Sequence, residues 1–486
     1  MRFQIHSQLL MLSGFLTASS TLGADLPVLT LADAVERALS RHAIIPAAQA
    51  KLHSAEGLAV QARAHPNPAF TFQMENWRFE GSPAFQPAQD VDWFAYVSQR
   101  IEAGGKRARR TELGKQNTGL AALELELLKW NVRQEVRRAY YRALLAQKRL
   151  QMMTENNESF QQIVEYHRFR VREGAMAEAD LVKVELEAAR LGLERETGAL
   201  ESERSRFELL KSMGESATTA SFHLVDPGGV PFPVTSTQQP AVAVSDPVVR
   251  SREPPSQGRD QPGDPSSGED NNGRLKGTLA SDPPALTQSS TARSLEPLLQ
   301  VARQKRLEVQ LSQAMVEQSR AKLALDKTQA HPDWSVLWGY KRTAGFNTLM
   351  AGVSVPLPFF DRNQGTIASG SSELDRAQSL LRSTLAEVET DVAAALGRFR
   401  RRYSMLSQMR ERVLDQAEES FRISLAAYQE GGTDLLRLLD AQRSRNEIRL
   451  LQTQAEMAYQ VSLVELEAAV GLENLSISQE LLRETP

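Results

Sequence analysis

The 486-residue chain contains no cysteine. This absence excludes disulfides, thiolate metal sites, a thiol nucleophile and a lipid-modified cysteine at a mature N-terminus. Neither sign of charge dominates, since 57 lysine and arginine residues stand against 60 acidic residues and the net charge is −3. Nucleic acid is therefore a poor candidate partner, because proteins that bind it present a strongly basic field.

Long apolar runs are also missing. After the N-terminal segment, no stretch approaches the roughly 18 consecutive apolar residues of a membrane-spanning helix. If this protein spans a membrane, it must do so with strands. At the N-terminus, Arg2, the apolar run 9–16 and small residues up to Ala24 follow the pattern of a secretory signal peptide. We assign 1–24 to a signal peptide, and the alternative is the frayed apolar end of a cytosolic protein.

The chain repeats its own plan. The phrase AHPNPAFTF at 64–72 is answered by AHPDWSVLWGY at 330–340, and the phrase beginning VREGAMAEAD at 171 is answered by YQEGGTDLLRLLDAQ at 428–442. Solenoid repeats are short and need at least three stacked copies, whereas this period is long and occurs twice. We therefore predict a two-fold pseudo-repeat.

Each half predicts the order helix, strand, strand, long helix, tight turn and return helix. In the first half the helices are expected at Leu31–Arg63 with a kink at Pro46, at Lys106–Arg172 and at Asp180–Ser212. In the second half we expect helices at 294–329, 367–430 and 434–470, with strands at 334–342 and 348–355. The proline-free run after Lys106 would be on the order of 100 Å long, which no compact domain needs.

The strand patterns leave two interpretations open. Phe70, Phe72 and Met74 alternate with polar residues, as a half-buried strand does. The apolar rows could face lipid, as in a transmembrane barrel, or the helices, as in an ordinary hairpin. Because about eight strands are the fewest that close such a barrel, four strands require several chains, and three chains would supply twelve.

A stretch rich in proline, glycine, serine and aspartate separates the two halves at 226–284. Such a composition cannot bury enough apolar surface to offset its ordering entropy, so we predict a disordered linker. The predicted organisation is a signal peptide at 1–24, a first repeat at 25–218, a linker at 219–290, a second repeat at 291–475 and a C-terminal tail at 476–486.

Several phrases resemble those of one known family. AHPNP, IEAGGKRARR at 101–110, VPLPFFDRNQG at 355–365 and YQEGGTDLLRLLDAQ are similar to the TolC-like outer-membrane efflux proteins. The second and third phrases look most like the branch that serves cobalt-zinc-cadmium and related heavy-metal pumps. The resemblance covers nearly the whole mature chain except the linker.

The resemblance implies a mainly α protein with a small β part. It implies a homotrimer whose twelve-stranded β-barrel lies in outer-membrane lipid and continues into the periplasm as an α-helical barrel. Such a duct is passive, exports divalent heavy-metal cations, and docks onto a periplasmic adaptor (membrane fusion protein) and an inner-membrane RND pump. The alternatives are a duct for organic drugs or type I protein secretion and, from another class, a periplasmic coiled-coil scaffold.

The same resemblance places functional residues at the two turns. Gly174, Gly431 and Gly432 would form the tips that contact the adaptor. The candidate aperture residues are Asp180, Asp434, Arg437 and Asp440. Asp180 and Asp440 match aperture acids of the family, whereas Arg437 stands at a position that is acidic in some relatives. Three carboxylates in a ring would attract cations, and the alternative is a solvated acid on a helix surface.

Nothing in the sequence points to an enzyme. The seven histidines are scattered, and His42 and His53 lie about three helical turns apart, too far for one metal ion. A duct that bound its cargo tightly would block release. We therefore predict no catalytic residue, metal ligand or cofactor.

Overall fold

The computed structural model describes residues 27–78, 85–174, 177–216, 222–227 and 287–473. The predicted signal peptide and C-terminal tail lie outside the described residues, as does most of the predicted linker. At the two ends of that linker, 222–227 and 287–290 are described and contain regular structure. Regular structure is therefore present at both ends of the predicted linker.

The first half contains β1 (Val28–Leu29), α1 (Leu31–Arg41), α2 (Ile44–Arg63), β2 (Ala69–Glu75), α3 (Pro87–Asp90), β3 (Asp92–Ile101), α4 (Lys106–Arg172), α5 (Glu178–Met213) and β4 (His223–Leu224). The second half contains α6 (Thr287–Lys305), α7 (Leu307–Gln329), β5 (Trp334–Thr343), β6 (Phe346–Ser354), α8 (Gln364–Gln408), a π-helical turn (Met409–Val413), α9 (Leu414–Gln429) and α10 (Leu435–Val470). The long helix α4 has the predicted bounds.

The first predicted helix is two helices. It breaks at His42 and Ala43, so the predicted kink at Pro46 is wrong. Pro46 instead lies in the first turn of α2, where its missing N–H leaves no intrahelical bond unmade. At the start of α1, Asp33 donates its backbone N–H to the Thr30 hydroxyl over 3.2 Å, and its carboxylate accepts from the Thr30 N–H, so the two residues form a capping box.

The helix predicted at 294–329 is also two helices, which meet at Arg306. The reason lies far away in sequence, because α10 ends there. A Cβ atom built on Gly471 would lie 3.0 Å from the Cα of Arg306. The helix α10 thus ends directly against the start of α7. The end of α5 meets the start of α2 in the same way, with Gly214 against His42.

Substituting Gly471 by alanine is expected to destabilise this junction. Gly471 has φ +79°, a left-handed conformation that costs a residue with a Cβ on the order of 1–2 kcal/mol, and the close approach to Arg306 adds to that cost. Chemical denaturation should show a lower midpoint. The matched control is Gly119→Ala in α4, where a Cβ meets nothing within 4 Å and the helix gains about 0.5–1 kcal/mol. Equal midpoints for both variants would contradict the tight junction.

The predicted long helix 367–430 contains a π-helical turn at Met409–Val413, which separates α8 from α9. A π turn inserts one extra residue into the helical ladder and shifts the side chains that follow. Amino-acid periodicity over the whole run does not reveal such a local insertion. The return helix α10 begins at Leu435, one residue after its predicted start.

The strands form one antiparallel sheet in the order β2-β3-β5-β6. A central pairing of β3 with β5 joins the two hairpins, so both halves contribute to one sheet. Each outer strand, β2 and β6, has one neighbour in the described chain. A separate parallel pair joins β1 to β4, so that Val28 and Leu29 lie beside His223 and Leu224.

The helix α4 is the centre of the helical part. It packs against α2, α5, α7 and α10, and so contacts helices of both halves of the chain. Its apolar residues Val132, Val136, Tyr140 and Leu144, which recur every four positions, are buried. Two large apolar clusters follow, one around α1, α4 and α5 and one around α6, α8 and α10. Within the described ranges, no helix combines the length and the apolarity that crossing a bilayer requires.

Candidate functional site

The two predicted turns lie at the ends of α4 and α9. In the first, α4 ends at Arg172 and the Gly174 N–H donates to the Val171 carbonyl over 3.0 Å. In the second, Gly431 donates to the Tyr428 carbonyl over 3.1 Å. The two glycines have φ +69° and +77°. A left-handed residue that ends a helix explains why the sequence places glycine at both turns. Gly432, the third predicted tip residue, is exposed beside Gly431.

The predicted aperture residues have different surroundings. Asp434 is the N-cap of α10 and accepts the Arg437 backbone N–H over 3.1 Å, so it has a local structural role. Asp180 is half-buried and pairs with Lys183 over 3.0 Å. Asp440 and Arg437 are exposed on α10. Among the described residues, no hydrogen bond or ion pair joins the side chains of these four residues to one another.

A buried histidine joins the two repeats just above the turns. His167 of α4 is fully buried, and its Nε2 lies 2.8 Å from the Tyr428 hydroxyl of α9. Its Nδ1 lies 2.8 Å from the Ile163 carbonyl, an acceptor, so Nδ1 carries the proton and Nε2 accepts from Tyr428. The two rings stack with centroids 5.9 Å apart. Burial raises the pKa of Tyr428, and the charge of Asp180 adds to this increase, so the phenol keeps its proton.

This contact is not among the predictions made from the sequence. His167 and Tyr428 are 261 positions apart, and a single histidine in a long helix is not distinctive. A signal did exist, because His167 precedes the Gly174 turn by two helical turns and Tyr428 precedes the Gly431 turn by one. Aligning the two repeats on their turn glycines would have placed both side chains at the same end of the molecule.

Replacing Tyr428 by phenylalanine is expected to destabilise this end of the protein. The substitution leaves the buried Nε2 of His167 without a donor, which costs about 1–3 kcal/mol. Hydrogen exchange should show faster opening of the ends of α4 and α9. Tyr166→Phe is the control, since Tyr166 is half-exposed and no hydrogen bond of its hydroxyl is described. Unchanged exchange in Tyr428→Phe would show that the Tyr428–His167 bond contributes nothing.

An ion pair connects the return helices α5 and α10. Glu187 is only 8% exposed, and Arg443 donates to it from Nε to Oε1 over 3.0 Å and from Nη2 to Oε2. This two-point geometry is the strongest form of the arginine–carboxylate contact. The hydrogen bond from Arg443 lowers the pKa of Glu187. Below the pair, Phe160, Val184 and Leu439 belong to a small apolar cluster that unites α4, α5 and α10.

No metal centre is formed by the described residues, where no group of three or more histidine, aspartate or glutamate side chains is placed to hold an ion. Near the turns, carboxylates and arginines lie at the surface, and buried contacts connect the two repeats. This arrangement suits contact with a partner protein better than metal binding.

Comparison with known proteins identifies the class of molecule. The chain matches the family described as outer membrane efflux protein over residues 34–212 and 298–472. It belongs to the outer membrane efflux protein family. The match confirms the resemblance found in the sequence and identifies the protein as an efflux channel of the outer membrane. The two matched segments lie inside the two predicted repeats, whose exact boundaries stay predictions.

Individual relatives agree with this family. The chain is 26% identical over 426 residues to the cobalt-zinc-cadmium resistance protein CzcC of Cupriavidus metallidurans, covering 87% of this chain and 85% of that protein. Crystal structures of CusC superimpose with a TM-score of 0.65 at 15% identity, covering 91% of this chain and 92% of CusC. VceC of Vibrio cholerae gives a TM-score of 0.64 at 16% identity, covering 91% and 96%. At these identities the solved structures establish the fold.

Proposed function

We propose that three copies of this efflux protein form one passive duct that exports divalent heavy-metal cations from a tripartite pump. The duct consists of a twelve-stranded barrel in the outer membrane and a helical barrel in the periplasm. A periplasmic adaptor and an inner-membrane RND pump dock at its helical turns. The observation that carries this proposal is the character of the two faces of the sheet.

Strand register assigns every side chain of the sheet to one face, since directly paired residues point the same way. One face is apolar, and its members include Phe70, Phe72, Trp93, Ala95, Val97, Trp334, Trp338, Tyr340, Leu349, Ala351 and Val353. The opposite face carries most of the polar residues, including Thr71, Gln73, Ser98, Arg100, Lys341 and Thr348. Apolar outside and polar inside is the pattern of a transmembrane barrel.

The helices do not cover the apolar face. Phe70 is 71% exposed and Leu349 is 90% exposed, and Trp338 also lies open. An ordinary hairpin packed on helices would bury these side chains. The four strands also leave β2 and β6 each with one neighbour, so pairing β6 of one copy with β2 of the next would close a barrel of three copies.

The helices also carry apolar surface that other copies of the chain would cover in the proposed trimer. The helix α5 packs against α4 and α1, and its outer face carries a row of exposed apolar residues with a spacing of seven: Leu186, Leu193, Leu200 and Phe207. This spacing is typical of a coiled-coil seam without its partner. Leu380 of α8 and Ile423 of α9 are also exposed. Neighbouring copies of the chain would cover these apolar side chains in the proposed trimer.

The cargo is inferred from the relative. CzcC confers cobalt, zinc and cadmium resistance according to its name, and its similarity spans most of both chains. A deletion strain should therefore become sensitive to these ions, and the intact gene should restore resistance. Native mass determination of the protein extracted from the outer membrane should give a trimer. Sensitivity to organic compounds alone would overturn the metal cargo, and a soluble periplasmic monomer would favour the coiled-coil scaffold.

Neutralising Asp440 is expected to reduce the cation preference of the duct. In the proposed trimer, three copies of this exposed carboxylate form a ring on α10 near the aperture. For Asp440→Asn, we expect the cation-to-anion permeability ratio in planar bilayers to fall roughly twofold or more. Glu447→Gln removes an exposed charge two turns further along the same helix and should leave the ratio nearly unchanged. Equal effects of the two substitutions would place the selective ring elsewhere.

A further inference from the structure

A groove of about 730 Å³ runs beside α1. Its lining includes Leu31, Val35 and Leu39 of α1 and Arg133 and Arg137 of α4. The three apolar residues recur every four positions, so they form one stripe along the helix. Leu31 and Val35 pack inward against the apolar cluster of α1, α4 and α5, yet all three side chains are only half-buried. Among the described residues, no segment covers this apolar stripe.

Two boundaries of the described chain meet at the groove. Pro227, before the linker, and Glu473, before the C-terminal tail, both line it. Glu473 is held in place by Arg133, which donates from Nη1 to Oε1 of the carboxylate over 2.6 Å. The residues that follow Glu473 therefore start beside the apolar stripe.

The charged residues around the groove leave one acid without a partner. Arg133 is paired with Glu473, and Arg137 is paired with the buried Glu467 over 2.6 Å. Glu36 also lines the groove and is exposed on α1, and within the described ranges its carboxylate forms no ion pair. A segment that complements the groove should thus bring apolar side chains and a positive charge.

The C-terminal residues meet this requirement. The sequence from 474 to 486 is NLSISQELLRETP, in which the four large apolar residues are Leu475, Ile477, Leu481 and Leu482 and the one cation is Arg483. The nine residues 474–482, if extended, reach up to about 30 Å. The apolar stripe of α1 is only about 12 Å long. The C-terminal residues can therefore reach every part of the groove.

The linker is the competing occupant, because it starts at Pro227. Its first residues, GGVPFPV at 228–234, are partly apolar, but its first lysine or arginine is Arg250, 23 positions after Pro227. The start of the linker thus brings no charge that could pair with Glu36. In the C-terminal segment, Arg483 directly follows two of the leucines, so the apolar side chains and the positive charge arrive together.

We propose that residues 474–486 dock into the groove of their own protomer. Their apolar side chains cover the stripe of Leu31, Val35 and Leu39, and Arg483 pairs with Glu36. The docked segment connects the end of α10 in the second repeat to α1 in the first. This contact lies within one protomer, so it is independent of the proposed trimer and of its cargo.

Docking should determine how often α1 opens. This helix has only 11 residues, and a helix shorter than about 12–15 residues is marginal in water unless packing supports it. In the described part of the protein, α1 packs mainly against α4 and α5, and the C-terminal segment would add support on the side of the apolar stripe. Amide exchange of α1 therefore reports on docking.

The first test identifies what fills the groove. A photoreactive p-benzoylphenylalanine replaces Leu39 in the full-length protein, which is irradiated, cleaved after glutamate and analysed by mass spectrometry. Cleavage after Glu473 separates the C-terminal residues from α10, so attachment to a peptide from 474–486 is distinguishable from attachment to the helix end. We expect that peptide to be the main product and the uncleaved protein to migrate as a single chain. The same photoreactive residue at Arg37, exposed on another face of α1, should not capture it.

Other products would overturn the proposal. A linker peptide from 228–286 would assign the groove to the linker. A crosslinked product of twice the protomer mass would assign the groove to another copy of the chain. Absence of any attached peptide would show that the groove stays uncovered.

The second test measures amide exchange in α1 with Leu39 in place. Leu481→Ser combined with Leu482→Ser should speed this exchange roughly tenfold or more, because two leucines lose their apolar contact. Ser476→Ala combined with Ser478→Ala changes two polar residues of the same segment and should leave the exchange nearly unchanged. Exchange at the centre of α4 should stay slow in both variants, which shows that the protein is folded. Unchanged exchange of α1 after loss of the two leucines would contradict docking.

Discussion

Arginine in place of Leu349 is expected to abolish assembly in the outer membrane. Leu349 lies near the middle of β6 on the apolar face and is 90% exposed in the protomer. A charged residue facing lipid near the bilayer midplane costs about 2–4 kcal/mol, and the proposed trimer incurs this cost three times. The proposed trimer should be absent from the outer-membrane fraction, and metal resistance should be lost with it.

Thr348→Arg provides a closely matched control. Thr348 is the preceding residue of the same strand and is also exposed, but strand geometry directs it to the opposite, polar face. In the proposed duct that face lines the water-filled interior, so Thr348→Arg should assemble normally. If both variants assembled equally well, the apolar face would not contact lipid and the duct proposal would be wrong.

The difference between the two faces of the sheet could be predicted from the sequence, but the surroundings of each face could not. The alternation of Phe70 and Phe72 with polar residues predicted two different faces, because the side-chain period of a strand is two. It left open whether the apolar face meets helices or lipid. That question depends on where the helices pack, and they gather around α4 instead of covering the sheet. Only the folded arrangement shows the apolar face uncovered.

The helices also have some ends that nearby residues determine and others that depend on residues far away in the sequence. The bounds of α4 followed from a proline-free run that ends at a glycine turn, both of which are local signals. The breaks at His42 and Arg306 were not predictable in this way, because each coincides with the end of a helix from another part of the chain. At the candidate site, Asp434 was predicted at the aperture, and its contact with Arg437 shows that it also caps α10.

Replacing Arg443 by alanine is expected to weaken the contact between α5 and α10 at the end of the duct where the two glycine turns lie. Glu187 would keep its buried carboxylate but lose both hydrogen bonds from Arg443, and Arg190 lies 3.7 Å away as a weaker partner. Breaking a fully buried pair costs about 3–5 kcal/mol, and the half-exposed Arg443 places this loss somewhat lower. Because the pair joins α5 to α10, the conductance of single ducts in planar bilayers should increase.

Charge reversal tests whether the pair itself is responsible. The double variant Glu187→Arg with Arg443→Glu retains two opposite charges across the same contact and should bring the conductance most of the way back to that of the unmodified protein, whereas either single reversal should not. If the double variant conducted like Arg443→Ala, the effect would come from packing around Arg443 instead of from its ion pair with Glu187.

The pH dependence of conductance gives an independent measure of the pair. Arg443 lowers the pKa of Glu187 below its ordinary value of about 4.5. A carboxylate whose pKa is lowered by folding contributes its full stabilisation above its ordinary pKa and loses it as the pH falls through the folded value. Conductance of the unmodified duct should therefore stay low at neutral pH and rise only below about pH 4.5. In Arg443→Ala the duct should conduct strongly at pH 7 and change less on acidification, because the interaction that protonation removes is already absent.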